Sequence, residues 1–151
     1  MAIRQLSYFQ DEVLRKPCKP VEKVDDRIRM ILDDMAETMY ATGNGAGLAA
    51  NQVGILKRLV VIDMGDGLIK LVNPKIIEQT GEQNCIEGCL SFPNQWGRVI
   101  RPAKVVVQAQ NEYGEQVCYT GEGDLAKCFC HELDHLEGIE FVDKVTEFIK
   151  L

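Results

Sequence analysis

The sequence predicts an α+β fold: antiparallel β-sheets packed around a C-terminal HExxH helix, with a second helix near the N-terminus. Three observations carry that expectation. Apolar residues recur at helical spacing in two separate stretches, near residues 26–42 and 124–137. Between them lie short β-branched runs divided by tight turns. Parallel pairing would need crossovers of about a dozen residues, longer than these turns, so the strands should pair antiparallel. At 151 residues, with 46% hydrophobic and 26% charged side chains, the chain is expected to form one domain spanning 1–151.

The elements follow in order. Residues 14–21, LRKPCKPV, hold two prolines, which predict an extended lead-in. Asp25 or Asp26 then caps a helix whose stripe is Ile28, Ile31, Leu32, Met35 and Met39, and Gly43 stops it. Residues 43–54 are rich in glycine and alanine and show no period. Residues 58–63 (RLVVID) and 68–72 read as strands joined by a turn at Gly65-Asp66-Gly67. Asn73-Pro74 is expected to break the chain before a short strand over 75–78. Residues 104–110 (KVVVQAQ) and 116–120 predict a hairpin around Tyr113-Gly114. The last helix runs from Asp124 to about Glu137 and stops at Gly138.

Composition excludes several function classes. A net charge of −6 argues against a protein that lives on nucleic-acid phosphates. No apolar run approaches the roughly 18 residues of a membrane span. The N-terminus, MAIRQLSYFQDEVL, lacks the unbroken apolar stretch and cleavage site of a secretory signal, so a cytoplasmic location is expected. In that compartment the six cysteines should be buried or metal-bound rather than paired as disulfides. Cys128 and Cys130, two apart on a helix, point to different faces.

The last helix carries His131-Glu132-Leu133-Asp134-His135. Residues four apart share a helix face, so both imidazoles can reach one ion. They are also the only histidines in the chain. Glu132 falls among Leu125, Phe129 and Leu136 on the apolar side of the helix. An ionised carboxylate there needs a nearby cation or donors, and a metal-activated water is such a partner, with Glu132 as its general base. Asp134 falls on the opposite face, where solvent or a surface partner is expected.

Two histidines do not complete a catalytic metal site, which keeps three protein ligands and an open position. Glu137, Glu140, Asp143 and Glu147 follow, but Glu137 and Glu140 lie too close along the chain to complete a tetrahedron comfortably. The third ligand is therefore sought upstream, and Cys89 in Glu87-Gly88-Cys89-Leu90-Ser91 is the best candidate. Gly88 allows close backbone approach, and a cation would hold the thiolate. A third stretch, GAGLAANQ at 45–52, combines small residues with Gln52, whose amide can donate to a developing oxyanion. Alone, that stretch reads more readily as a tight helix-to-strand connection.

Together, GAGLAANQ at 45–52, EGCLS at 87–91 and HELDH at 131–135 resemble the three motifs of the peptide deformylases, in the same order. LRKPCKPV and GIEFVDKV (138–145) resemble that family's flanking segments, so the likeness covers nearly the whole chain. It implies that Cys89, His131 and His135 hold one divalent metal, Fe(II), replaceable by nickel, cobalt or zinc. It implies that Glu132 is the acid/base, and that the Gln52 side chain and the Leu90 backbone N–H form the oxyanion hole. The substrates would be N-formyl-methionyl peptides of nascent chains, hydrolysed to formate and a free amine. Ala46, Cys128 and the stem of Glu87 would line the methionine pocket, and Ala46 and Gly88 would pair with the peptide backbone.

Some features depart from the family pattern. Trp96 stands where many members carry an arginine that helps hold the substrate backbone, and Arg101 is expected to pair with Glu87. Some relatives carry a C-terminal ribosome-docking helix; no such helix is expected before Leu151, and the acidic net charge does not favour a ribosome contact. Two other readings differ in chemistry. A general HExxH zinc peptidase would cut unformylated peptides and take its third ligand from Glu140 or Asp143. A binding module would keep the groove without turnover.

Overall fold

The first long helix begins where the chain supplies its own cap. In the computed structural model, which describes residues 2–43 and 45–150, α1 (Asp26–Thr42) starts with the Ile28 amide donating to the Asp25 carboxylate at 3.0 Å. It ends at Gly43, whose φ of 73° is the left-handed conformation that glycine adopts without strain. Its stripe of Ile28, Ile31, Leu32, Met35 and Met39 is buried as the spacing predicts.

Among the described residues, eight strands form two sheets, antiparallel throughout. The larger has the order β1-β2-β3-β6-β7, from β1 (Gly47–Ala49), β2 (Leu59–Ile62), β3 (Ile69–Thr80), β6 (Lys104–Gln110) and β7 (Gln116–Glu122). The smaller has the order β4-β5-β8, from β4 (Gln83–Cys89), β5 (Phe92–Arg101) and β8 (Val145–Ile149). The second helix, α2 (Asp124–Leu136), lies across the larger sheet. Strand periodicity explains the layering: Val60 and Ile62 of β2 pack with Phe129, Leu133 and Leu136 of α2, while Leu59 and Val61 pack with the α1 stripe. The sheet is thus covered by a helix on each face. A further cluster of Leu14, Phe92, Val99 and Phe141 joins the smaller sheet to the chain on either side of α2. Among the described residues no helix is long and apolar enough to cross a membrane. All six cysteines are free thiols.

The structure departs from the predicted elements in four places. The lead-in is not extended from residue 14: Glu12–Arg15 is a 3-10 turn, capped by Asp11 accepting from the Val13 amide, and it buries Leu14. Residues 43–54 are not merely a connection, because β1 pairs with β2 and Ala50–Val53 forms a 3-10 turn. Asn73-Pro74 does not break the chain. The strand runs on through a register shift, with Asn73 at φ 52° and its amide clasping the Val21 N–H and C=O at 2.7 and 2.8 Å. Pro74 is tolerated there because a bulge needs no ladder donor from it. Finally, β4, β5 and β8 lack a sequence forecast: Gly88, Pro93 and Gly97 interrupt the alternation of β4 and β5, and β8 is only five residues long.

Candidate metal centre

Strand alternation on β4 turns Glu87 and Cys89 to one side, facing α2, with a register shift between them at Gly88. Helical spacing on α2 turns His131 and His135 the same way, their ring centroids 5.0 Å apart. Cys89 Sγ comes within 3.4 Å of His135 Nε2. One donor atom from each of Cys89, His131 and His135 lies within 4.8 Å of the other two.

Each histidine is held from behind. His131 Nδ1 is 2.8 Å from Glu87 Oε1, and Glu87 accepts two hydrogen bonds from Arg101 at 2.7 and 2.8 Å. Arg101, only 2% exposed, also donates to Asp134 at 2.6 Å. The expected Arg101–Glu87 pair is therefore present, and Asp134 is a partner of Arg101 and Lys144 rather than a solvated group. His135 Nδ1 lies 2.9 Å from Glu140 Oε2, an ion-pair distance at an angle that misses a hydrogen bond. The Asn51 amide donates to the His135 carbonyl at 2.5 Å, tying the 45–52 segment to α2.

Charge at the site is strongly redistributed. Burial pushes the Cys89 thiol up, but His135 and His131 outweigh it and hold it at about 7. Burial also works against the Glu87 carboxylate, yet Arg101 and His131 bring it down to about 2. His131 is raised to about 9 against its burial by Cys89 and Glu87, and burial pushes Glu132 up. Two imidazoles and a low-lying thiol, packed together with buried carboxylates, form a donor set matched to a divalent cation. A cation there would displace protons that the cluster otherwise shares. The carboxylate oxygens of Glu140 and Oε1 of Glu132 are buried without a hydrogen-bond partner, which also fits a positive charge close by.

Glu132 occupies a socket made by Gly47. A Cβ at residue 47 would lie 2.8 Å from Glu132 Oε2. The small residues of GAGLAANQ thus make room for the carboxylate itself, a role not apparent in the sequence. Gln52, in the 3-10 turn after β1, accepts from the Ala49 amide at 2.9 Å. Its Nε2 faces Cys89 Sγ at 3.5 Å and Ser91 Oγ at 3.2 Å. A cleft of about 250 Å³ brings the predicted residues together: Ala46, Gln52, Glu87, Gly88, Cys89, Leu90, Cys128, His131 and Glu132 all line it. His135 sits behind that surface, 1% exposed. Trp96 adds a wall that no motif suggests, its ring so close over Gly88 that a Cβ there would lie 2.6 Å from it. Glu140 is also part of the cluster, and only its carboxylate identity marks it in the sequence.

Fold and site together define an α+β hydrolase of the HExxH class, with a candidate cysteine–histidine–histidine metal centre. Comparison with known proteins gives the family. The polypeptide deformylase family model matches residues 3–150, and this chain belongs to that family. It is 62% identical to peptide deformylase 2 of Clostridium acetobutylicum over 150 residues, covering 99% of this chain and all of that one. The crystal structure of peptide deformylase from Thermotoga maritima superposes with a TM-score of 0.93 at 40% identity, covering 97% of this chain and 99% of that one. The enzyme of Synechococcus elongatus in complex with actinonin gives 0.92 at 43% identity, covering 95% and 79%.

Proposed function

We propose that this chain is a metal-dependent amidohydrolase that removes the formyl group from the N-terminal formyl-methionine of newly made polypeptides. The observation that carries this reading is the convergence of Cys89, His131, His135, Glu132 and Gln52 at one cleft of a chain in this family. Cys89 Sγ and the imidazoles of His131 and His135 would hold one divalent ion, read here as Fe(II) with zinc, nickel or cobalt able to replace it. Such an ion supplies Lewis-acid activation of water and of the formyl carbonyl when bound.

The chain's own groups do the rest. Glu132, buried beside the histidines, takes a proton from the attacking water. The water oxygen bonds to the formyl carbon, and the Gln52 amide and the Leu90 backbone N–H donate to the oxygen that gains charge. The C–N bond then breaks. Glu132 passes its proton to the leaving amine, giving formate and a free N-terminus. Ala46, Cys128 and the stem of Glu87 cradle the methionine side chain, while Ala46 and Gly88 pair with the peptide backbone. A formyl carbon carries only hydrogen, so the closely walled cleft disfavours larger acyl groups. Residues 1–151 act as one catalytic unit, in the cytoplasm where nascent chains are made.

The test is formate release from a short formyl-Met peptide, with protein purified without oxygen. Turnover is expected from the native chain, with a fall of about 10²- to 10⁴-fold in E132A that leaves metal content unchanged. Cleavage of unformylated peptides in place of formate release would favour a general peptidase. Metal-loaded, folded protein without turnover would favour a binding module. The peptidase reading lacks its structural requirement: Glu140 faces Nδ1 of His135, and Asp143 is engaged with Arg15 at 2.5 Å.

A further inference from the structure

We infer that Glu140 is a positioning residue for the metal centre. It holds His135 from the Nδ1 side, aims Nε2 toward Cys89 and His131, and raises the affinity of the site for a divalent cation. The inference rests on the reading of Cys89, His131 and His135 as the ligands.

Glu140 is 0% exposed, and its Oε2 lies 2.9 Å from His135 Nδ1. Neither carboxylate oxygen has a hydrogen-bond partner, and no arginine or lysine pairs with it among the described residues. The contrast with Glu87, the carboxylate behind His131, is sharp, because Glu87 is neutralised by two bonds from Arg101. With His135 as its one charged partner among the described residues, the buried Glu140 is unfavourably placed, and replacing such a group by an apolar one can stabilise a protein. Glu140 is nonetheless held firmly in this place. Gly138, at φ 74°, reverses the chain so close to Arg15 that a Cβ would lie 2.5 Å from the Arg15 carbonyl oxygen. The Glu140 N–H donates to Asp143 at 2.9 Å, the Asp143 N–H donates back to the Glu140 carbonyl at 3.0 Å, and Phe141 is buried in the adjoining cluster. When Nε2 of His135 ligates an ion, Nδ1 carries the hydrogen, and a carboxylate beside it fixes the ring and makes Nε2 a better donor. The Nδ1 hydrogen then offsets the unfavourable burial in the metal-loaded protein.

Removing the Glu140 carboxylate should therefore move metal affinity and apo stability in different directions. Wild type, E140Q and E140L are stripped of metal and titrated with cobalt(II) against a competing chelator. The cobalt spectrum and the thermal midpoint of each apo protein are recorded alongside. In E140L the cobalt affinity should fall about ten- to a hundredfold and the visible bands should shift, while the apo protein melts no lower than wild type. E140Q, which retains an acceptor oxygen, should lose less affinity. In the zinc-loaded protein, a slowly exchanging His135 Nδ1 proton resonance should be present in wild type and E140Q and absent from E140L. Unchanged cobalt affinity in both variants would overturn the inference. So would a lowered apo midpoint in both, with an unchanged cobalt spectrum, since that is the mark of a merely structural residue. C89S separates the two levels. If it leaves the cobalt affinity and spectrum intact, the ligand reading itself fails; if it abolishes the thiolate band while the Glu140 variants change nothing, only the role of Glu140 fails.

Discussion

Gly47 and Glu132 form a lock at the scale of single residues. The carboxylate sits where any side chain at 47 would have to be, 2.8 Å from the missing Cβ. Glu132 is also only 5% exposed, so its carboxylate has little space into which to retreat. G47A is therefore expected to displace the general base without touching a ligand. Formate release should fall at least tenfold in kcat, while metal content measured by elemental analysis stays at the wild-type ratio. A G47A enzyme with wild-type kcat would show that the carboxylate has another working position. Glu132 and the HExxH histidines are legible in the sequence because a four-residue spacing on a helix is local geometry. The socket is not, since it depends on β1 running alongside α2.

Elements meet through Arg101. It leaves β5 to hold Glu87 of β4 and Asp134 of α2, and Glu87 in turn holds His131. One guanidinium thus fixes the smaller sheet against the HExxH helix. R101M keeps the length of the side chain and removes its charge, leaving Glu87 buried without its cation. The expected loss is about 3–5 kcal/mol of unfolding free energy, measured by urea denaturation of metal-saturated protein. A loss below about 1 kcal/mol would place Arg101 in the class of surface pairs, contrary to its burial. Asp25, Gly43 and Gly138 show how much of an element the sequence reveals, for each helix boundary follows from a cap or a left-handed glycine. β4, β5 and β8 show the opposite case. Trp96, Gly97 and Pro93 blur any period of two in β5, the strand on which β4 and β8 both pair, and β5 is held because its Val99 and Phe92 meet Leu14 and Phe141 in one cluster.

Across the whole molecule, the candidate ligands belong to different layers. Cys89 comes from the smaller sheet, and His131 and His135 come from the helix on the larger one. A cation held among them cross-links these layers and binds only the folded chain. Removal with a chelator is expected to lower the thermal midpoint, because a ligand at a thousandfold excess over its Kd adds about 4 kcal/mol to stability. Differential scanning calorimetry of stripped and cobalt-loaded protein measures this directly. Equal midpoints would mean that the three side chains do not hold the ion in the folded state.

The α+β class, both long helices, the β2–β3 and β6–β7 pairs, and the candidacy of Cys89, His131, Glu132, His135 and Gln52 are all readable from the order of residues alone. These follow from short-range sterics: a periodicity of 3.6 or 2, a cap within one turn, two histidines on one face, and motifs recognisable as strings. That Gly47 houses Glu132, that Trp96 walls the cleft over Gly88, and that Glu87 and Glu140 stand behind separate histidines emerges when the layers pack. Those relations join residues dozens of positions apart or on opposite sides of a turn. Their physical basis is burial: a carboxylate's partner is set by which side chains exclude water from it, and that is settled when the layers close.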